Sequence, residues 1–256
     1  MSKRLLALIA ALLLGASIGS GGASGRSGSS LTVFAAASLT DVFPAIDKTP
    51  IYSFAGSNAL AAQIMNGAPA DVFASANTSL PAQLHAAGFV EKPVNFTRNT
   101  LVIVVPKSNP AGIHSVYDLG NDGVTIDLAA PAVPVGAYTL QILKQMGLTA
   151  KVLPNVVSQE ADVRTVLAKV ALGQADAGFV YATDARSVAG DVTVIKVPAW
   201  AQPKVSYALA VVTKSPNQAA AQAFVKKVLS KAGQAALARY GFLALPKPVR
   251  AATAGT

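Results

Sequence analysis

The sequence predicts an α/β protein, and three observations agree on this fold class. Short apolar, β-prone segments alternate with segments whose apolar residues recur at helical spacing, as in parallel sheets flanked by helices. Hydrophobic residues make up 52% of the chain, which excludes an intrinsically disordered protein and suffices for a sizeable core. In addition, Asn99 to Pro110 and Lys204 to Asn217 resemble each other, because each is an apolar strand that ends in Lys, Ser and Pro.

These two similar segments fit two arrangements equally well. In a two-lobed protein the chain leaves the first lobe by one such strand and returns by the other, so that a ligand cleft lies between the lobes. In a single domain they are two ordinary strands of one sheet. The similarity alone favours neither arrangement.

The first thirty residues have the order of a secretory signal followed by a Gly/Ser-rich spacer. Lys3 and Arg4 precede an apolar run from Leu5 to Leu14, and small residues follow this run. The run is too short for an ordinary transmembrane helix, and cleavage is expected near Ala16 or Ala23. We therefore expect an exported protein, periplasmic or at the cell surface, that is either free or tethered by an uncleaved signal.

Eight strands are predicted from apolar runs that are bounded by turn-forming residues. They are Leu31 to Ala36, Ile51 to Phe54, Asp71 to Ser75, Leu101 to Val105, Val124 to Leu128, Gly178 to Tyr181, Val192 to Val197 and Tyr207 to Val212. Helices are expected between them. The clearest run from Asp162 to Leu172, with Gly173 as a stop signal, and from Gln218 to Leu229.

Composition and charge exclude several classes of function. The chain has no cysteine, which removes disulfides, thiolate metal sites and cysteine nucleophiles. The formal net charge of +9 is not concentrated in a basic run or an aromatic ladder, so we expect no nucleic-acid partner. A positive charge spread over the surface weakly steers anions toward the protein.

No catalytic motif is present in the sequence. His85 and His114 are the only histidines, and neither accompanies a GxSxG elbow; Walker-type loops and HExxH motifs are also absent from the sequence. Four aspartates could form a metal cluster, although helix-cap and solvated surface roles are favoured. These are Asp71, Asp162, Asp176 and Asp184.

Two short segments carry hydroxyl groups at expected helix entrances. FAAASLTDVF contains Ser38, and SFAGSNAL contains Ser57; each begins with a β-prone run and continues through small residues. Such a hydroxyl either caps its helix or, together with the free amides of the first turn, holds an anion with neutral donors. Taken singly, the two serines leave both interpretations open.

Several motifs, in this order, resemble the exported molybdate-binding protein of ABC importers. They are FAAASLTDVF, SFAGSNALAAQI, GAPADVFASAN, NTLVIVVPK, VPVGAY, EADVR, GQADAGFVYATDA and RYGF. The resemblance covers nearly everything from Leu31 to Phe242. The combination of AAASL, PADVF and a later GFVY is specific for this family, whereas any one of these motifs alone is weak evidence for it.

The resemblance implies a periplasmic-binding-protein-like fold with two lobes, each a mostly parallel sheet flanked by helices, and a ligand in the interlobe cleft. Residues 1–30 would be the signal and spacer, 31–98 with 207–248 the first lobe, and 99–206 the second. The implied protein is a monomer, not an enzyme, that captures molybdate and tungstate for an ABC permease and needs no cofactor. It holds no metal beyond the molybdate oxyanion. The alternatives are a binder of sulfate or phosphate and, more remotely, a two-lobed hydrolase.

The resemblance also implies five ligand residues, namely Ser38, Ser57, Val135, Val163 and Tyr181. The serines would bind through their hydroxyls and amides, the valines through their amides, and the tyrosine through its phenol. Such neutral donors offer no acceptor to a ligand that carries a proton, so they favour a fully ionised anion.

Two neighbouring residues receive structural roles. Asn58 could reach the ligand or cap the helix, and we favour the cap. We expect Arg164 to point to the surface or to pair with an acid such as Asp184.

One segment departs from the family pattern. Between the two serines, DVFPAIDKTP leaves room for only about two helical turns. We expect Pro44 to lie beyond the first turn, where it would remove a backbone hydrogen bond and kink the helix.

Overall fold

The computed structural model describes residues 30–246 and contains two five-stranded sheets. The predicted signal and spacer therefore lie outside the described residues, apart from Ser30, as do residues 247 and 248 of the predicted first lobe. Because the strands divide between two sheets, the two-lobed arrangement applies and the single-sheet alternative does not.

The first sheet is mixed. Its strands are β1 (Thr32–Ala36), β2 (Ile51–Ala55), β3 (Val72–Ser75), β4 (Val94–Asn99) and β10 (Val205–Val211). In the order β2-β1-β3-β10-β4, β1 pairs in parallel with β2 and β3, whereas β10 pairs antiparallel with β3 and β4. The strand that returns from the other sheet is therefore the one that runs in the opposite direction.

The second sheet repeats this plan. Its strands are β5 (Leu101–Pro106), β6 (Ile126–Ala129), β7 (Val156–Glu160), β8 (Ala177–Tyr181) and β9 (Val192–Lys196). In the order β7-β6-β8-β5-β9, β6 is parallel to β7 and β8, and β5 is antiparallel to β8 and β9. Each sheet thus has a single reversed strand, and that strand follows a crossing between sheets.

Helices follow most of the strands. Those connected with the first sheet are α1 (Val42–Ile46), α2 (Ser57–Met65), α3 (Ser79–Ala86), α8 (Gln218–Leu229) and α9 (Lys231–Arg239). Those connected with the second are α4 (Pro134–Gln145), α5 (Thr149–Val152), α6 (Val163–Ala171) and α7 (Ala182–Ser187). Short 3-10 helices span Ala37–Leu39, Val116–Gly120, Leu153–Asn155 and Ala199–Ala201. Within residues 30–246 no helix has the length and apolar character needed to cross a membrane.

Four of the central strands are buried along their whole length. Every residue of β3, β5, β6 and β8 is buried, as expected of central strands in a layered α/β protein. Aromatic rings fill the first lobe, where Phe43 packs on Phe96 and Phe224 with ring centroids 5.9 and 5.5 Å apart. This aromatic cluster joins α1, β4 and α8 in the first lobe.

The chain crosses between the two sheets twice, and the two crossing segments are hydrogen-bonded to each other. Thr100 is the only residue between β4 and β5, and the second crossing runs from Pro198 through Gln202 into β10. The Gln202 side chain donates to the Leu101 carbonyl at 2.7 Å and accepts from the Leu101 amide at 3.1 Å. A pair of hydrogen bonds therefore ties the second crossing to the first.

All eight predicted strands occur, with bounds that differ by two residues or fewer. The helix predicted from Asp162 to Leu172 is α6, with Asp162 as its N-cap, and the one from Gln218 to Leu229 is α8. The prediction missed β4 and β7.

The prediction for Pro44 was wrong. The helix α1 begins at Val42, so Pro44 is its third residue and lies within the first turn, where no intrahelical bond uses its nitrogen. Ser38 belongs to a separate 3-10 turn.

Candidate functional site

All five predicted ligand residues line one small cavity between the two lobes. The cavity has about 210 Å³ of empty space, including its opening to solvent. Ser38 and Ser57 come from the first lobe, and Val135, Val163 and Tyr181 come from the second. The rest of the lining consists mainly of small or apolar residues: Ala36, Ala37, Ala55, Gly56, Ala76, Val133, Pro134 and Asp162.

Ser38 is presented by the 3-10 turn that directly follows β1. The N-cap position of this turn belongs to Ala36, and the Ser38 side chain makes no cap hydrogen bond. Instead, Ser38 Oγ lies 2.9 Å from Tyr207 Oη, and both side chains are buried. The capping interpretation of Ser38 is therefore wrong.

Ser57 is the first residue of α2, which follows β2. Gly56 occupies the N-cap position, and the Ser57 hydroxyl does not cap the helix. Its Oγ accepts a hydrogen bond of 3.0 Å from the Ala76 amide at the end of β3. Since that amide occupies the acceptor side of the oxygen, the hydroxyl hydrogen remains for the cavity.

The start of α6 leaves one backbone donor without a partner inside the helix. The Asp162 carboxylate accepts from the amides of Arg164 and Thr165 at 2.8 and 3.0 Å. The Val166 amide donates to the Asp162 carbonyl. The amide of Val163 is therefore the first-turn N–H that the cap does not use, and it belongs to a residue lining the cavity.

The start of α4 has a similar arrangement. Pro134 at the first helical position has no N–H, and the Ala137 amide donates to the Val133 carbonyl, which leaves Val135 and Gly136 as uncapped donors. A Cβ on Gly136 would lie 2.2 Å from the Ala130 carbonyl oxygen. Glycine therefore allows this helix to begin directly against the end of β6.

Tyr181 ends β8 and completes the lining. Its side chain is buried, and its Oη has no hydrogen-bond partner within residues 30–246. Burial raises the pKa of the Tyr181 phenol well above its usual value, so the group keeps its proton. The cavity therefore faces a neutral donor that is already desolvated.

Arg164 joins the two lobes beside the cavity. Its Nε lies 2.9 Å from Asp184 Oδ1 in the same lobe, and its Nη2 lies 2.5 Å from Asp41 Oδ2 in the other. The expected pairing with Asp184 is confirmed, whereas nothing in the sequence indicated Asp41 as a partner. Because the guanidinium has two carboxylate partners, its charge is neutralised outside the cavity.

Gly56 marks a close approach between the lobes. A Cβ on Gly56 would lie 2.3 Å from the carbonyl oxygen of Ala161, which precedes α6. The backbone angles of Gly56, φ −58° and ψ 134°, are open to any residue. Glycine is therefore required here by the distance between the lobes and not by its conformation.

The expected role of Asn58 was wrong. Asn58 is the second residue of α2 and not its cap, and its Oδ1 is buried without a hydrogen-bond partner in the described chain.

Within the described residues, no group of three or more His, Cys, Asp or Glu side chains could hold a metal ion. All four candidate aspartates have other partners: Asp71 accepts from the Thr32 amide, Asp176 accepts from Thr125, Asp162 caps α6, and Asp184 pairs with Arg164.

Two sheets joined by two crossings, with a donor-lined cavity between the lobes, define a two-lobed ligand-binding protein. A family model described as bacterial extracellular solute-binding protein matches residues 31–243. The chain belongs to this family.

Similar proteins are known for both the sequence and the fold. The molybdate-binding protein ModA of Mycobacterium tuberculosis (strain H37Rv) is 41% identical over 223 residues, covering 83% of this chain and 84% of the relative. ModA of Escherichia coli (strain K12) is 32% identical over 228 residues, covering 83% and 88%. The periplasmic molybdate-binding protein of Azotobacter vinelandii shares the fold, with a TM-score of 0.75 at 23% identity, over 85% of this chain and all of that one.

Proposed function

We propose that this protein captures molybdate, and also tungstate, outside the cytoplasmic membrane and delivers it to an ABC permease. One observation carries the proposal: five neutral donors on both lobes, predicted from sequence motifs, line a single cavity. The similarity to proteins named ModA, at 41% identity, supports molybdate as the ligand. In this role the protein acts as a monomer, catalyses no reaction and uses no cofactor.

The donor set suits a tetrahedral dianion. First-turn amides at the starts of α2, α4 and α6 carry the positive end of their helix dipoles toward the cavity. The hydroxyls of Ser38 and Ser57 and the phenol of Tyr181 add three side-chain donors. A site that binds without a lysine or arginine releases its anion more readily, because no ion pair has to be separated.

Discrimination follows from the protonation state and the size of the anion. A hydrogen phosphate ion would leave its proton without an acceptor, which costs on the order of 1–3 kcal/mol. Sulfate has the same charge and shape as molybdate, so its rejection depends on the size of the closed cavity.

Calorimetric titration of the purified protein at pH 7.5 tests the proposal. Molybdate and tungstate should each release heat and saturate at one anion per protein. Sulfate and phosphate should give no binding heat at the same concentrations. Saturable binding of sulfate or phosphate without binding of molybdate would contradict the proposed ligand.

The variant Ser38→Ala tests the proposed site. It removes one donor to the anion, so molybdate affinity should fall by roughly 1–3 kcal/mol while the circular dichroism spectrum stays the same. Ser53→Ala is the matched control, because Ser53 lies on β2 and does not line the cavity. An unchanged affinity in Ser38→Ala would remove this hydroxyl from the site.

A further inference from the structure

A chain of buried side-chain hydrogen bonds reaches the cavity from the crossing strands. Asn99, the last residue of β4, places its Nδ2 3.4 Å from Tyr207 Oη on β10. Tyr207 Oη in turn lies 2.9 Å from Ser38 Oγ. All three side chains are buried, so water does not substitute for these contacts.

The orientation of Asn99 is fixed by the backbone. Its Oδ1 accepts a hydrogen bond of 3.0 Å from the Thr100 amide, and its Nδ2 donates to Thr183 Oγ1 at 2.9 Å. If the amide were flipped, two N–H groups would face each other at Thr100. The Asn99 side chain therefore presents a donor, and not an acceptor, to Tyr207.

The direction of the next hydrogen bond follows. The phenol of Tyr207 has one hydrogen, and of its hydrogen-bond partners Ser38 and Asn99 only Ser38 offers an acceptor, so we assign this hydrogen to Ser38 Oγ. Burial raises the pKa of Tyr207 well above its usual value, so the phenol keeps this hydrogen. Ser38 Oγ is then an acceptor from Tyr207, and its own hydrogen is free for the cavity.

We propose that Tyr207 is a positioning residue that orients the Ser38 hydroxyl, so that the Ser38 hydrogen is directed at the bound oxyanion. This inference rests on the proposed function. Ser57 has the same arrangement, because the Ala76 amide occupies its acceptor side. For Ser38, however, the orienting donor is a side chain, and it can be removed by substitution.

The orientation affects selectivity as well as affinity. A serine hydroxyl that is free to rotate can either donate to an anion or accept the proton of a protonated one. With Tyr207 in place, one lone pair of Ser38 Oγ is already used and the Ser38 hydrogen faces the cavity, so a protonated oxyanion finds a poorer acceptor at this position. Without the tyrosine hydroxyl, the preference for a fully ionised anion should weaken.

A double-mutant cycle with molybdate as the probe tests the inference. Tyr207→Phe should weaken binding about tenfold in the wild-type background and less than twofold in the Ser38→Ala background. Tyr52→Phe is the matched control, because the Tyr52 hydroxyl donates to the carbonyls of Phe43 and Asp47 and does not line the cavity. This control should bind molybdate as the wild type does.

A loss that is equal in both backgrounds, or no loss in either, would overturn the inference. Competition by hydrogen phosphate provides a second readout. Tyr207→Phe should lower the ratio of the phosphate dissociation constant to the molybdate dissociation constant, and Tyr52→Phe should leave this ratio unchanged. If Tyr207→Phe does not fold, Asn99→Ala removes the donor that directs the Tyr207 hydrogen to Ser38 without adding a charge, and it should show the same coupling with Ser38→Ala. If wild-type titration selects sulfate instead of molybdate, the proposed function fails, and the same cycle is then measured with sulfate.

Discussion

At the scale of single residues, Asp127 is a buried carboxylate close to other charges. It lies on β6 without solvent exposure, and Lys169 Nζ is 3.8 Å from its Oδ2. Lys169 binds Glu160 more closely, and Ser158 also donates to Glu160. Burial, with a smaller effect of the Glu160 charge, raises the pKa of Asp127 from 3.8 to about 7.

This raised pKa predicts a pH-dependent stability. Between pH 3.8 and about 7 the folded protein holds a proton at Asp127 that the unfolded chain has lost, so this group lowers the free energy of unfolding as pH rises. Asp127→Asn removes the effect. Relative to wild type, the variant should gain stability from pH 4 to 7, by up to about 1.4 kcal/mol per pH unit, and level off above pH 7.

Urea unfolding at one-unit pH steps measures this difference. Asp122→Asn, which changes an exposed aspartate in the loop before β6, provides the matched control. A difference between Asp127→Asn and wild type that does not change with pH would show that folding does not raise the pKa of Asp127.

The sequence predicted the identity of the cavity residues better than their local geometry. Ser38, Ser57 and Tyr181 were found from motifs, and they do line one cavity. The sequence left open whether Ser38 and Ser57 cap their helices, because an offset of one or two residues decides which side chain is the cap and no periodic pattern shows that offset. Tyr207 was missed, since it contacts Ser38 across 169 positions of sequence.

At the scale of secondary-structure elements, α6 supplies several features of the site at once. Its N-cap is Asp162, its first residue lines the cavity, its second pairs across the lobes, and Lys169 lies near its end. Its apolar residues lie on one face, which is why the sequence predicted it well. By contrast, β4 and β7 are edge strands with polar residues, so they lack the apolar run by which the other strands were recognised.

The cap of α6 gives a stability prediction. Asp162→Ala leaves the amides of Arg164 and Thr165 without their partner, so the free energy of unfolding should fall by about 0.5–2 kcal/mol. Ser230→Ala at the cap of α9 is the matched comparison and should cost less, because Ser230 accepts only one capping bond. Urea unfolding of both variants provides the measurement, and an Asp162→Ala protein as stable as the wild type would contradict this role.

At the scale of the whole molecule, two contacts close the cleft. Gly56 approaches the Ala161 carbonyl, and Arg164 bonds to Asp41 across the lobes. Both contacts lie next to residues that line the cavity. Closure and ligand binding are therefore geometrically coupled, since neither contact can form when the lobes are apart.

Gly56→Ala should prevent full closure of the lobes and thereby weaken ligand binding. The added Cβ would meet the Ala161 oxygen at 2.3 Å, so the lobes cannot close fully, and molybdate affinity should fall at least about tenfold. The radius of gyration from X-ray scattering should contract with molybdate in the wild type and not in the variant. Gly190→Ala is the matched control, because its Cβ would meet no atom within 4 Å. Normal contraction in Gly56→Ala would exclude the steric explanation.

The paired crossings restrict the path along which the lobes can move. Two lobes joined by a single flexible strand can rotate and translate relative to each other in several directions. Here the Gln202 side chain hydrogen-bonds to Leu101, so the two crossings are held together and should move as one hinge. Such a hinge should return the serine hydroxyls and the helix amides to the same alignment after each release, so that the next anion meets donors that are already aligned.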